Sequence, residues 1–244
     1  MQAKGTSSAY RQLILRDLGL AGGLGIVALL FIFLAFSISI WILALGLPPL
    51  AGAFWFGNRA RVTLQKWRSQ ERLATLLHQV LGENYIYFLN LLLSENRSIG
   101  MIDGVLLGPY GALVLEVAPF SGQYICEGDT WYKYMGEQGA DIKEQPILNR
   151  KRLKDSPTWK VIRAAREVKS WLSVRNLPQV PVQPVVVLDR GKLFSSKHPN
   201  CPIVEHADLE NYLKEHLFHK GSSSEASVVS EGMLEQIAQR LKNA

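Results

Sequence analysis

The chain has 244 residues, a formal net charge of +6 and a hydrophobic fraction of 48 %. This length suits one globular domain with an accessory segment. Its two cysteines, Cys126 and Cys201, lie far apart without CxxC spacing, which excludes a disulfide framework or a cysteine-rich zinc fold. The modest basic excess fits either an anionic membrane face or a phosphate-containing partner.

The N-terminal part contains an uncharged stretch, residues 18–57, without any Asp, Glu, Lys, Arg or His. A membrane-spanning helix needs about 20 apolar residues, so this stretch is long enough for two. Basic residues flank it on both sides, and the positive-inside rule then places both flanks in the cytoplasm, as only a hairpin allows. The sequence therefore predicts a cytoplasmic segment 1–17 and a membrane anchor 18–57, built as two helices over 18–36 and 38–56.

One alternative keeps the anchor but changes the number of spans. A single long helix would end at Leu47, because Pro48-Pro49 breaks or kinks a helix. In both cases the soluble part of the chain is expected at the cytoplasmic side of a membrane. It divides into a domain over 58–220 and a tail over 221–244, which starts with a Gly-Ser linker and ends in an amphipathic helix.

The soluble part alternates between helical and strand-like patterns. Helical periodicity covers 62–81 and 146–174, and strands are predicted at 85–93, 99–107, 112–118, 123–126, 130–134 and 182–188. A short strand at 201–204 and a helix at 207–217 follow. Turn signals separate the middle strands closely, which predicts a β-meander. The order indicates an α/β domain with a mixed sheet flanked by helices.

Two acids interrupt otherwise apolar strands. Asp103 lies in the strand at 99–107, and Glu116 in the strand at 112–118. A carboxylate within a half-buried strand is costly unless it is paired or binds a metal ion. Two of them on adjacent strands are able to share magnesium, which prefers carboxylate ligands. The alternative for each acid is a hydrated or salt-bridged position at a strand end.

The order of residues around these acids resembles the nuclease-related domain family. The resemblance starts with Gln70-Glu71 on a helix and continues through 101–108 and 111–117 to Gly122, Trp131 and Gln145-Pro146. That family is similar to the restriction-endonuclease-like superfamily, whose core carries an acid on one strand and a Glu-x-Lys motif on the next. The resemblance implies this fold and metal-dependent phosphodiester hydrolysis, with magnesium as cofactor.

The resemblance also assigns roles to individual residues. It implies that Asp103 and Glu116 bind metal and are catalytic, with Glu71 as the supporting helix acid. Position 118 should be the lysine that holds the attacking water or offsets charge on the phosphate, but it is Ala118. Asn149 and Gln145 also depart from the family pattern.

These departures leave two interpretations open. Another cation has replaced the lysine, with Lys133, Lys143 and Lys151 as candidates, or the domain has lost cleavage and acts as a membrane-associated module that binds nucleic acid, lipid or a protein. The second interpretation is favoured, because the missing side chain is a direct observation. The basic residues Arg150, Lys151 and Lys154, at the start of the predicted long helix, are the expected nucleic-acid contacts. An alternative for this cluster is a solvated surface or one that faces anionic lipid.

Overall fold

The structure is a computed structural model that describes residues 3–5, 7–37, 42–81, 85–93, 101–109, 111–135, 150–174, 180–215, 229 and 231–242. The chain divides into two compact units. One is Thr6–Arg68, and the other combines Met1–Gly5 with Ser69–Ala244. The start of the expected second membrane helix, residues 38–41, and the residues Lys143, Gln145 and Asn149 lie outside the described residues.

The described residues of the N-terminal unit form two helices. Helix α1 spans Ser7–Ser37, and helix α2 spans Ile42–Val80, of which the part from Ser69 onward belongs to the other unit. A Cβ atom added to Gly52 would lie 2.9 Å from Cδ1 of Leu24, and Arg59 Nε lies 3.3 Å from Asp17 Oδ2. Residues later in α2 therefore meet residues earlier in α1, so the two helices run antiparallel.

Helix α1 contains a stretch that is long and apolar enough to cross a membrane, Gln12–Leu34. Only 11 % of its most apolar window is buried, whereas the core helix of a soluble protein is mostly buried. Among the described residues no second helix meets this criterion. Helix α1 ends at Ser37, and Pro48-Pro49 lie inside α2, so these prolines do not end a helix as the single-span alternative expected.

Within its described residues, the other unit is built on an eight-stranded mixed sheet. Its strands are β1 Ala3–Gly5, β2 Ile86–Leu91, β3 Ile102–Gly108, β4 Gly111–Glu127, β5 Thr130–Tyr134, β6 Arg150–Arg152, β7 Val182–Lys197 and β8 Ile203–Glu205. Strands β2 to β6 follow one another in antiparallel order, which confirms the predicted meander. The parallel pairs are β1 with β2, β4 with β7, and β7 with β8.

Helices cover both faces of this sheet, and the mixed α/β architecture confirms the predicted fold class. On one face, here called the α2 face, Leu115 and Val117 of β4 belong to a buried cluster with Leu73 and Leu77 of α2. Helix α4, Leu209–Leu213, joins the same cluster. On the other face, here called the α3 face, residues of helices α3, Pro157–Val174, and α5, Glu231–Lys242, pack with β4.

Three predicted boundaries are wrong in instructive ways. Strand β4 does not stop at Pro119 but continues to Glu127, because irregular pairing with β7 between Ala118 and Ser121 absorbs the proline. Strand β7 likewise runs well beyond Leu188. The helix expected over 146–174 begins only at Pro157, and Arg150–Arg152 forms an edge strand instead.

Candidate active site

Asp103 is the most constrained acid in the sheet. Its side chain is fully buried, and each carboxylate oxygen accepts a hydrogen bond. The Gln70 side-chain amide donates to Oδ1 at 3.1 Å, and the backbone N–H of Val117 donates to Oδ2 at 3.0 Å. A buried carboxylate is tolerated only with such partners, since an uncompensated charge costs several kcal/mol. The site is thus built around this anion.

The local backbone explains why Asp103 reaches Val117. The regular pairing of β3 with β4 runs from Gly108 opposite Gly111 to Gly104 opposite Leu115, and it ends there. The Asp103 carboxylate then accepts from the backbone N–H of Val117. Because a buried backbone N–H needs an acceptor, the acid takes over part of the strand pairing where the strands separate.

Gln70, and not Glu71, is the helix residue that contacts this acid. Gln70 is 1 % exposed and lies one turn before Leu73, on the side of α2 that faces the sheet. Glu71 lies on the exposed side of the helix. The residue that contacts Asp103 is therefore one position before the expected acid. Successive side chains of a helix are rotated by about 100° about its axis, so the two residues point in different directions. The geometry gives no support to a role for Glu71 at Asp103.

Tyr87 of β2 adds a third polar group to this buried region. Burial, and then the negative charge of Asp103, raise the pKa of Tyr87, so its hydroxyl stays protonated. Its ring lies against the backbone of Gly104, where an added Cβ atom would be 2.5 Å from the hydroxyl oxygen. Among the described residues this oxygen has no hydrogen-bond partner. Gly104 therefore leaves the space that Tyr87 occupies next to the acid.

Glu116 and Ala118 belong to the opposite side of β4. Their neighbours of the same parity, Val114 and Tyr124, pack on the α3 face, whereas Val117 packs on the α2 face with Gln70's helix. Glu116 is partly exposed, and Ala118 is 2 % exposed within the apolar cluster of the α3 face. A lysine at position 118 would therefore place its ammonium group among apolar side chains.

A second buried carboxylate, missed by the sequence prediction, lies on the α2 face. Asp189 of β7 has a 2 % exposed side chain and accepts a hydrogen bond from Ser69 Oγ at 2.9 Å. Arg72 binds it through Nε at 3.0 Å and through a short contact from a terminal nitrogen. One turn of α2 therefore supplies hydrogen-bond donors to both Asp103 and Asp189. The sequence signal was an acid directly after the apolar run 185–188.

A family profile described as "Nuclease-related domain" matches residues 65–189, about half of the chain. The matched range starts in α2 just before the residues that hold the two acids and ends at Asp189 itself. The chain belongs to the nuclease-related domain family. No curated protein and no solved structure matches it.

Two of the candidate replacement lysines of this nuclease-related domain lie away from Ala118. Lys133 packs over Gly122, since an added Cβ atom there would be 3.4 Å from Lys133 Cε and 3.9 Å from its ammonium nitrogen. Gly122 is four residues beyond Ala118 along β4, on the far side of the irregular pairing between Ala118 and Ser121. Lys151 is paired with Lys133 on β6, one strand farther from β4. Lys143 lies outside the described residues.

The described residues of the nuclease-related domain fit a magnesium ion poorly. No group of three His, Cys, Asp or Glu side chains among them is placed to hold a metal ion. Magnesium is often held by only one or two carboxylates with water and phosphate oxygens, so Asp103 and Glu116 were sufficient in principle. However, both oxygens of Asp103 already accept protein hydrogen bonds, from the Gln70 side-chain amide and from the backbone N–H of Val117.

The predicted basic cluster lies on a strand and not on a helix. Arg150 and Lys151 are part of edge strand β6, and Lys154 follows it as an exposed residue before α3. The Arg150 guanidinium stacks over the Tyr132 ring at 4.2 Å and donates to Glu127 at 2.9 Å. These residues therefore lie at the edge of the sheet, remote in sequence from Asp103.

Proposed function

We propose that this protein is a membrane-tethered nuclease-related module that binds nucleic acid without hydrolysing it. The observation that carries the proposal concerns the two positions that hydrolysis would need, the acid at 103 and the cation at 118. Asp103 is fully buried with both oxygens bound by protein donors, and Ala118 offers no cation. Such an acid stabilises the fold, because it accepts hydrogen bonds from the backbone N–H of Val117 and the side-chain amide of Gln70 where the pairing of β3 and β4 ends.

Hydrolysis of a phosphodiester requires stabilisation of the charge that develops on the phosphate and activation of water. The described candidate lysines, Lys133 and Lys151, lie on β5 and β6, and Arg72 on α2 is engaged by Asp189. Retention of the fold with loss of cleavage explains both facts. The basic edge at Arg150, Lys151 and Lys154 then supplies phosphate contacts without chemistry.

A cleavage assay on the full-length protein in detergent tests this proposal. Single- and double-stranded DNA and RNA are incubated with millimolar magnesium or manganese. We expect no cleavage above that of Asp103→Asn, a variant that retains an oxygen to accept from Val117. Metal-dependent cleavage that Asp103→Asn abolishes would refute the proposal. Ala118→Lys should also fail to cleave, because its side chain would enter the apolar cluster of the α3 face, and gain of cleavage would show that the acids can still support hydrolysis.

The membrane anchor rests on the exterior of the helical unit. Leu29, Phe33 and Phe54 are 66 %, 69 % and 80 % exposed, and a soluble protein rarely exposes large apolar side chains to this extent along one helical unit. Trp55 at the end of this surface has Arg59 5.8 Å from its ring centroid, which suits a membrane interface. A lipid environment accounts for this exterior.

The topology of the sheet supports a hairpin in this anchor. Strand β1 precedes α1, yet it pairs with β2 in the same compact unit that begins again at Ser69. Both flanks of the helical unit then lie on one side of the membrane. The basic residues after the apolar stretch, Arg59, Arg61, Lys66 and Arg68, favour the cytoplasmic side.

Cysteine labelling in intact cells tests this topology. Maleimide added outside should reach Ser37→Cys but neither Ser7→Cys nor Arg61→Cys. The native thiols provide a silent background, because burial raises the pKa of Cys126 to about 11 and that of Cys201 to about 12. Labelling of Ser7→Cys from outside with Arg61→Cys protected would contradict the hairpin and indicate a single span.

A further inference from the structure

The outer ends of β4 and β7, together with β5 and β6, form a part of the sheet that extends past the buried acids. The pairings give the order β7, β4, β5, β6. Its α3 side carries Tyr124 and Trp131, which are 3 % and 1 % exposed within the apolar cluster. Its other side carries a different set of residues, which is the surface of interest here.

Three aromatic side chains lie on that other side. Tyr132 and Tyr134 share it because they are two residues apart on β5 and alternate with Trp131 and Lys133. The ring of Phe194 from β7 stacks on that of Tyr134 with a centroid distance of 5.9 Å and an interplanar angle of 18°. We call Tyr132, Tyr134 and Phe194 the aromatic face.

The aromatic face is an outer layer. Ile125 is paired with Tyr132 across β4 and β5 and is 3 % exposed, so the rings shield it. Phe194 itself is 38 % exposed, and both tyrosines are partly exposed. These partly exposed rings differ from a core aromatic such as Trp131, which is 1 % exposed.

Positive charges accompany the rings. Arg150 and Arg152 are the direct register partners of Tyr134 and Tyr132, and direct partners in an antiparallel pair point to the same face. Arg150 also stacks over the Tyr132 ring, with Glu127 as its ion-pair partner. Lys192 is exposed on the same side, because it is paired with Gln123, which alternates with Tyr124.

We propose that the aromatic face binds single-stranded nucleic acid, with bases stacked on its rings and phosphates held by Arg152 and Lys192. Exposed rings interleaved with cations suit this ligand, because every base has a π-face and every linkage a negative charge. A duplex is disfavoured, because its bases already stack on one another. The inference rests on the proposed nucleic-acid binding and specifies its ligand class and surface.

Fluorescence anisotropy on the full-length protein in nanodiscs of neutral lipid tests this inference. The probe is a labelled thymidine strand of about 15 nucleotides, and the comparison is a duplex of the same length. We expect Tyr134→Leu and Phe194→Leu each to raise the Kd for the strand on the order of tenfold. Leucine keeps an apolar cover over Ile125, so both variants should fold.

Trp159→Leu is the matched control, because Trp159 is 53 % exposed and has Arg163 5.2 Å from its ring centroid, but lies on α3. It should change the Kd by less than about twofold. Arg152→Gln should reduce the salt dependence of log K by about 0.7, whereas Tyr134→Leu should leave that slope unchanged.

Several outcomes would overturn the inference. They are unchanged strand binding in both ring variants, an equal loss in Trp159→Leu, preference of the wild type for the duplex, and a ring effect confined to phosphatidylserine vesicles. Failure of the proposed function is distinguishable. Cleavage by the wild type would refute the loss of hydrolysis but would leave the increase in Kd of the ring variants intact. Strand binding with an unchanged Kd in Tyr134→Leu and Phe194→Leu would refute this inference alone.

Discussion

Replacement of Gln70 by leucine tests the arrangement around the buried acid most directly. Gln70 is 1 % exposed and Asp103 0 %, so no water replaces the lost amide donor. A hydrogen bond to a charged group contributes about 1.5–3 kcal/mol. For a domain of this size, 1 kcal/mol corresponds to about 2–4 °C in Tm. Gln70→Leu should therefore lower the Tm by roughly 3–12 °C, although leucine fits the apolar surroundings of Leu73.

The assay is thermal unfolding of the full-length protein in detergent, followed by circular dichroism. Glu71→Gln is the matched control on the exposed side of the same helix turn, and it should change stability by less than about 0.5 kcal/mol. In the Asp103→Leu background, Gln70→Leu should cost less than it does alone, since both partners are then apolar. A loss for Glu71→Gln as large as that for Gln70→Leu would refute the assignment of Gln70 as the partner.

Three further predictions use the same unfolding assay. Arg72→Gln should destabilise by about 1–3 kcal/mol, because it removes a cation from Asp189, whose side chain is buried, although the exposed part of Arg72 is screened by solvent. Gly104→Ala should cost about 1–3 kcal/mol, because the added Cβ would overlap the fully buried Tyr87. Burial raises the pKa of Cys126 from 9.0 to about 11, so its contribution to stability is complete below pH 9 and is lost towards pH 11; Cys126→Ala should flatten this decline.

Each of these predictions has a contrasting variant. Lys214→Gln breaks an exposed pair with Glu210 and should cost less than about 0.5 kcal/mol, so an equal effect for Arg72→Gln would contradict the importance of burial. Gly232→Ala lies in α5 with nothing within 4 Å of the added Cβ and should stabilise slightly. Rapid maleimide labelling of Cys126 in the folded protein at pH 8 would contradict its raised pKa.

The sequence predicted the elements whose signal is local. The apolar stretch, the meander and the two acids on adjacent strands all follow from composition, alternation and turn residues in short windows. Leu113, Leu115 and Val117 share one face of β4, because the two-residue period of a strand is fixed by its backbone. The family resemblance, based on ordered residues around Asp103 and Glu116, is also confirmed at the level of the domain.

Boundaries that depend on pairing partners were not predictable. Strand β4 continues past Pro119 because β7 pairs beside it with a shift in register, which restores hydrogen bonds on the far side of the proline. Arg150–Arg152 becomes a strand and not a helix because β5 offers it an edge. No residue within these segments indicates which strand will pair with it.

The partner of the buried acid was decided by tertiary structure alone. The sequence placed a carboxylate at position 103 and a polar pair, Gln70-Glu71, on a helix, but which of the two faces the sheet depends on the rotation of α2 about its axis. Packing of Leu73 and Leu77 fixes that rotation and turns Gln70 inward. Asp189 reaches the same helix turn from β7, because strands distant in sequence become neighbours only when the sheet forms. The sequence by itself marked Asp103 as a charge within an apolar strand, and the fold determined that Asp103 and Asp189 are both buried and which groups compensate them.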